Sequence, residues 1–254
     1  MKLARDTWLI FQRQMTLTLR SPSWIFFGLA QPITYLLLFT PFLKPALASM
    51  GATSYADAYR IYVPGLLVVT CLYGGLFTGF GLLADLRGGI IQRCRVTPIS
   101  RTALVLGRVL RDVAILLVQA VIITLFALPF GLRLSLVEMV LAAVLLVLIA
   151  LMTTAISYDV TLLVRNEGAL GPMINTVGQP VALLAGVLLP LALAPHWMQV
   201  VADWNPFSWA TAGMRALFNG NVGDSAVWLG MLMVAALAGL TLLWSGRLFS
   251  RTIS

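Results

Sequence analysis

Six apolar runs of about 20 residues, separated by short polar stretches, limit what this chain can become. They are Trp24–Leu43, Tyr62–Ala84, Val113–Leu132, Leu136–Ser157 (extensible to Val164), Pro172–Leu193 and Val227–Ser245. A helix needs about 20 predominantly apolar residues to cross a hydrocarbon core about 30 Å thick. Each run therefore matches one crossing. A soluble domain carries about 25% charged residues, whereas this chain of 254 residues carries 10%, is 60% hydrophobic and has a mean hydropathy of +0.94. No repeat, low-complexity linker or soluble domain interrupts the pattern. The expected fold is a single all-α integral membrane domain over residues 1–254 with six transmembrane helices.

The net charge of +8 invites a nucleic-acid reading, but membrane orientation explains it better. With the N-terminus inside, thirteen basic residues fall on the inner side: Lys2, Arg5, Arg13, Arg20, Arg87, Arg93, Arg95, Arg101, Arg108, Arg111, Arg165, Arg247 and Arg251. Only four fall outside, namely Lys44, Arg60, Arg133 and Arg215. Positive charge collects on the cytoplasmic face, so both termini are expected there, in a cell membrane, and no nucleic-acid partner is implied. Cys71 and Cys94 make no disulfide framework, and the single histidine, His196, excludes a multi-histidine metal site.

Ahead of the first run, Trp8, Phe11, Met15 and Leu19 recur at spacings of three and four, with Arg5, Arg13 and Arg20 on other faces. This predicts an amphipathic helix lying in the membrane interface; a solvated helical tail is the alternative. Ala46-Leu47-Ala48 resembles a signal-peptidase site, but the preceding run is longer than the roughly 7–15 residues of a signal core. A retained first span is the preferred reading. Between the last two runs lie about 30 residues, too polar to span and too apolar for an ordinary loop. Asn205-Pro206 breaks that segment, which predicts two short helices dipping back into the outer leaflet.

Few residues carry chemistry. A phosphate-cradling loop needs a lysine after glycine, and neither lysine, Lys2 or Lys44, follows one. This chain is therefore expected to be no enzyme and to hold no cofactor or metal. Asp159 is the one acid read as a candidate intramembrane group; if the fourth run ends at Ser157 it simply faces water. Gly75/Gly79 and Gly74/Thr78 place small residues one turn apart, allowing close helix approach within the chain, at a dimer seam or along a substrate path. The fifth run, with Pro172, Gly178, Pro180, Gly186 and Pro190, should be kinked, with Asn175 and Gln179 as polar groups at depth.

The stretch Asp85 to Arg111 concentrates six of the basic residues. Its order of Asp85, Gly89, Ile90, Ile91, Gln92, Arg93, Cys94, Arg95, Val96, Thr97 and Pro98 resembles the Asp-x-x-x-Gly-Thr-Leu-Glu-Arg-Leu-x-Val-Thr-Pro-like run of type 2 ATP-binding-cassette (ABC) export permeases, in particular daunorubicin-resistance-type multidrug permeases. Ala185-Gly186, Pro190, Ala194-Pro195-His196-Trp197, Asn205-Pro206-Phe207-Ser208-Trp209 and Arg215 fit the same family's outer segment, and Arg165-Asn166-Glu167 fits its inner loop. Together these cover essentially the whole chain.

The resemblance implies the permease half of an exporter for a hydrophobic or amphipathic compound. Its partners would be separate ABC ATPase subunits that bind ATP and Mg, a second copy or paralogue, and membrane lipids. Arg87, Gly89, Gln92, Arg93 and Arg95 would belong to a cytoplasmic coupling helix seated in the ATPase groove, with Thr97 and Pro98 as the cap and first position of the next helix. Tyr73, Phe77, Asn175 and Gln179 would line the substrate path, and Pro190, Trp197, Asn205, Pro206 and Arg215 would help close it outside. Arg87 and Gln92 stand where the family commonly has acids, so the matching ATPase groove is expected to be acidic. A permease for a lipid-linked polysaccharide is the alternative, followed by an ion-coupled secondary transporter.

Overall fold

The computed structural model of the chain describes residues 2–20, 22–47, 54–89, 101–187 and 191–252. These residues form α1 (Lys2–Leu19), α2 (Pro22–Leu47), α3 (Tyr55–Arg87), α4 (Arg101–Ala127), α5 (Leu136–Val164), α6 (Glu167–Leu184), α7 (His196–Ala202), α8 (Pro206–Phe218) and α9 (Ser225–Thr252). Among the described residues there is no strand. Four stretches are long and apolar enough to cross a membrane: Tyr55–Arg87, Ala103–Phe130, Leu136–Val164 and Ser225–Leu248. The apolar stretch Gly28–Phe39 of α2 is shorter.

Local chemistry sets the helix ends. Ser54 and Asp57 close a reciprocal capping box on α3, Asp57 N–H donating to Ser54 Oγ at 3.2 Å and Ser54 N–H to Asp57 Oδ2 at 3.0 Å. Ser135 and Glu138 do the same for α5, at 3.3 and 2.7 Å. The turn before α5 passes through Gly131 at φ +94°, a conformation that costs glycine little. Asn205 accepts from Phe207 N–H at 3.1 Å, and Pro206 takes the first position of α8, where no N–H is required.

α3 is the central helix and packs on α2, α4, α5, α6 and α8. Its seam with α5 is close because glycines face hydroxyls there. A Cβ on Gly75 would lie 2.0 Å from Thr153 Oγ1, and one on Gly79 2.2 Å from Thr161 Oγ1. The hydroxyls are satisfied across or along the seam: Thr153 Oγ1 donates to Ile149 O at 2.9 Å, and Gly79 N–H donates to Ser157 Oγ at 2.9 Å. Gly75 and Gly79 thus serve packing within the chain. α1 lies against α4, where Gly107 leaves room for Ile10 and for the Thr7 carbonyl. Trp8 and Leu19 remain exposed on α1, while Phe11 stacks on Trp8 with centroids 5.1 Å apart. Outward-facing Trp228, Leu232, Leu240 and Trp244 on α9, with Val118, Val121 and Leu125 on α4, present a surface suited to acyl chains.

The structure corrects two expected ranges. The third apolar stretch reaches back to Ala103, past the expected start of the span at Val113, so Arg108, Arg111 and Asp112 lie within the stretch itself. Burial in exchange for ion pairing makes this possible, as described below. The fifth run is not one helix over Pro172–Leu193. α6 starts at Glu167, capped by Asn166, and ends at Leu184, where Gly186 at φ +66° breaks the backbone; a single 3-10 turn follows at Leu191–Leu193. α5 does continue to Val164, which puts Asp159 on the helix, half-buried beside Ser245 of α9.

Candidate functional site

A partly open cavity of about 1200 Å³ runs along one side of α3 and is bordered by α1, α2, α4 and α6. Its lining residues on α3 recur at helical spacing from Tyr62 to Asp85, about 35 Å of helix at 1.5 Å per residue. The cavity thus extends through nearly a membrane's thickness. Aromatic and aliphatic side chains dominate its walls, among them Phe39, Leu66, Val69, Phe77, Ile115 and Leu183. Gln31, Gln119, Asn175 and Gln179 interrupt them with amides.

All four path residues expected from the sequence line this cavity. Tyr73 Oη donates to Gln179 Oε1 at 2.7 Å, joining α3 to α6. The Tyr73, Phe77 and Phe80 rings follow one another along α3 with centroids 6.3 and 5.9 Å apart. Asn175 Nδ2 donates to Gly171 O at 3.2 Å, which leaves its carbonyl oxygen as an acceptor.

At the end of the cavity where α3 finishes and α4 begins lies a cluster of ionised side chains absent from the sequence-based expectation. Arg108 pairs with Asp85, linking α4 to α3. Arg111 Nη1 lies 3.0 Å from Asp112 Oδ1, and Tyr158 Oη of α5 donates to Asp112 Oδ2 at 2.5 Å. Arg108 and Asp112 are each only 2% exposed, so neither charge is solvated by water. Such a group persists only when paired, because removing one partner strands a buried charge at a cost of about 3–5 kcal/mol. Arg111, Asp112 and Asp85 also line the cavity and form its floor. A signal for this cluster exists in the sequence: Arg108, Arg111 and Asp112 are spaced three and four apart, hence on one helix face.

The outer segment is tied down by polar contacts. Arg215 Nε donates to Ile61 O at 3.1 Å and its Nη2 to Gly186 O at 2.6 Å, fastening α8 to α3 and to the break after α6. Burial pushes the Arg215 guanidinium down to about 10, still charged at neutral pH, so both bonds are charge-assisted. Asn205 Nδ2 donates to Val181 O at 2.8 Å. Trp197 on α7 is 63% exposed, and Pro190 lies outside the described residues. Of the coupling residues, Arg87 forms an exposed ion pair with Glu167 at 2.8 Å, and Gly89 adopts φ +66°. Gln92, Arg93, Arg95, Thr97 and Pro98 lie outside the described residues. Among the described residues no three His, Cys, Asp or Glu come together as metal ligands.

The sequence pattern of ABC-2 type transporters matches residues 5–219, from α1 through α8. The chain belongs to the ABC-2 type transporter family. Relatives agree at low identity. The chain is similar to ycf38 of Porphyra purpurea, described as a transport permease (27% identical, covering 83% of this chain and 72% of the relative). The ycf38 of Pyropia yezoensis is 26% identical over 79% of this chain and 69% of its own length. The daunorubicin resistance ABC transporter permease protein DrrB1 of Streptomyces coeruleorubidus is 25% identical over 82% of this chain and 73% of its own. The ABC-2 chain is thus a membrane transport subunit and not the ATPase, and its family implies ATPase partner subunits.

Proposed function

We propose that this permease is the membrane half of an exporter that moves a hydrophobic or amphipathic compound, drug-like or lipid-like, out of the cytoplasm or the inner leaflet. The observation that carries this reading is the long cavity beside α3, apolar along its walls and polar at one end. A compound with apolar bulk and few polar groups fits such a lining, since pockets for small molecules combine apolar walls with a few placed polar groups.

In this reading the chain crosses six times, α2 and α6 adding to the four long apolar stretches, with both termini cytoplasmic. The thirteen-to-four distribution of basic residues supports that orientation. Two copies, or one copy and a paralogue, dock on separate ATPase subunits that bind ATP and Mg. Residues 87–95 form the coupling helix and seat in an acidic groove of the ATPase. Arg87, at the end of α3, starts that segment only two residues after Asp85, so movement there reaches the cavity floor directly. Trp197, Asn205, Pro206 and Arg215 belong to the outer closure.

The test is reconstitution of the co-purified permease and ATPase in proteoliposomes with a hydrophobic fluorescent substrate. ATP-dependent efflux should fall about tenfold or more in Phe77→Ala and Gln179→Ala, and Arg93→Glu should abolish both assembly and efflux. Efflux that follows an ion gradient and survives removal of the ATPase would overturn the proposal.

A further inference from the structure

We infer that the floor of the cavity is a headgroup site for an anion carried on an apolar tail, with the Arg111 guanidinium as its anchor. This rests on the cavity being the substrate path proposed above. Four observations lead to it. The floor presents Asp85, Arg111 and Asp112, with Arg108 buried behind Asp85, and each carboxylate already has a guanidinium partner. Asp85 is paired with Arg108, and Asp112 is held by Arg111 at 3.0 Å and Tyr158 at 2.5 Å. An incoming cation would compete with a guanidinium at either acid.

Arg111 differs. Its side chain lines the cavity, and the ion pair with Asp112 engages only its Nη1. A guanidinium presents five donors in a fixed fork suited to phosphate and carboxylate oxygens. Asp112 occupies one edge of it. Arg13 of α1 adds a further positive charge within electrostatic reach of Arg108, so Arg13, Arg108 and Arg111 outnumber Asp85 and Asp112 by one at this end of the cavity. Above the floor the walls along α3 are mostly apolar, interrupted by the amides of Gln31, Gln119, Asn175 and Gln179. An anionic head at Arg111 with acyl or polycyclic bulk along Phe77, Leu116 and Leu66 satisfies both halves of the lining.

Gly81 supplies an independent handle. It lines the cavity one turn from Asp85, and a Cβ there meets nothing within 4 Å, so a larger side chain would enter open space without disturbing the packing. The experiment titrates the purified permease complex with phosphatidylglycerol and phosphatidylcholine carrying the same fluorescent acyl chain. Wild type should favour phosphatidylglycerol about tenfold, the scale of one charge-assisted hydrogen bond. Arg111→Gln should bring the two lipids to parity by weakening only the anionic one, Arg111→Lys should keep part of the preference, and Gly81→Leu should weaken both. If Arg111→Gln does not fold, Gly81→Glu compared with Gly81→Gln provides the charge test, with the acid selectively losing phosphatidylglycerol.

The inference is overturned if a folded Arg111→Gln, or Gly81→Glu against Gly81→Gln, leaves the preference unchanged. It is equally overturned if a cationic lipid with the same tails binds as well as phosphatidylglycerol. Displacement by inorganic phosphate, at an ionic strength where chloride does nothing, would assign the site to free anions and remove the tail from the argument. Gly81→Leu separates the two levels. If it blocks binding while Arg111 has no effect on selectivity, only the headgroup site fails. If it changes nothing, the cavity itself is not the path.

Discussion

The α3–α5 seam offers a stringent test because its geometry predicts opposite outcomes for two nearby glycines. In Gly79→Ala the new Cβ would lie 2.2 Å from Thr161 Oγ1, 2.6 Å from Ser157 Oγ and 3.0 Å from the Ser157 carbonyl oxygen. The hydroxyls cannot simply turn away. Ser157 Oγ accepts from Gly79 N–H at 2.9 Å and donates to Leu76 O, and Thr161 Oγ1 donates to Ser157 O at 2.8 Å. The carbonyl is backbone, so α5 itself must retreat. Overpacking of this kind costs about 1–3 kcal/mol, and a lost hydrogen bond adds about 1 kcal/mol. Replacing glycine inside a helix returns up to about 1 kcal/mol. The net is a destabilisation of about 2 kcal/mol, which at about 2–4 °C per kcal/mol for a chain of this size lowers Tm by about 4–8 °C. Gly81→Ala meets nothing within 4 Å and should leave Tm unchanged or slightly raised. Cys71, 1% exposed on the same helix, provides the reporter. In a Cys94→Ser background, a thiol-reactive fluorophore records its exposure on heating. If Gly79→Ala melts within about 1 °C of wild type, or Gly81→Ala falls as far, the close approach of α3 and α5 is wrong.

Three further outcomes follow from the polar contacts. Tyr158→Phe removes the donor to Asp112 and should cost about 1–3 kcal/mol; in a double-mutant cycle with Asp112→Asn the two should couple by about 0.5–3 kcal/mol, and strict additivity would show that they do not interact. Arg215→Lys cannot reach the Ile61 and Gly186 carbonyls with one fork, so a loss of about 1.5–3 kcal/mol is expected in the same melting assay. Arg87→Glu disrupts an ion pair whose side chains are 53% and 62% exposed. Its effect on Tm should correspond to less than about 1 kcal/mol, while association with the ATPase, measured by co-purification, should fall markedly if residues 87–95 are the docking segment.

The long elements were legible because they depend on a single variable. Twenty consecutive apolar residues form a helix in any apolar surrounding, so α3, α5 and α9 fall where hydropathy puts them. α8 was legible for a local reason, since Asn205-Pro206 encodes a cap and a first turn. α6 was harder. Proline and glycine predict a break somewhere in Pro172–Leu193, but which glycine takes a positive φ depends on what holds the chain there. At Gly186 that is the Arg215 guanidinium on its carbonyl, a contact between residues 29 apart in sequence.

The basic stretch marks the limit of reading charge from composition. Arg87 and Arg108 count equally in a positive-inside tally, yet one is exposed against Glu167 and the other is buried against Asp85. Hydropathy placed the start of the third span after Asp112 because each ionised residue counts as a penalty. In the folded chain the opposite charges on α3 and α4 cancel most of that penalty, and the helix reaches back to Arg101. The spacing of Arg108, Arg111 and Asp112 hints at such a face, but the partners Asp85 and Tyr158 lie on other helices and no local pattern announces them. Asp159 and Asp112 show the same limit. Both are acids on apolar helices, but Asp112 sits between Arg111 and Tyr158 at the cavity floor, whereas Asp159 lies half-buried beside Ser245 and away from the cavity. An acid at membrane depth is costly unless satisfied, and only the meeting of α3, α4 and α5 at the floor supplies the partners that satisfy Asp112.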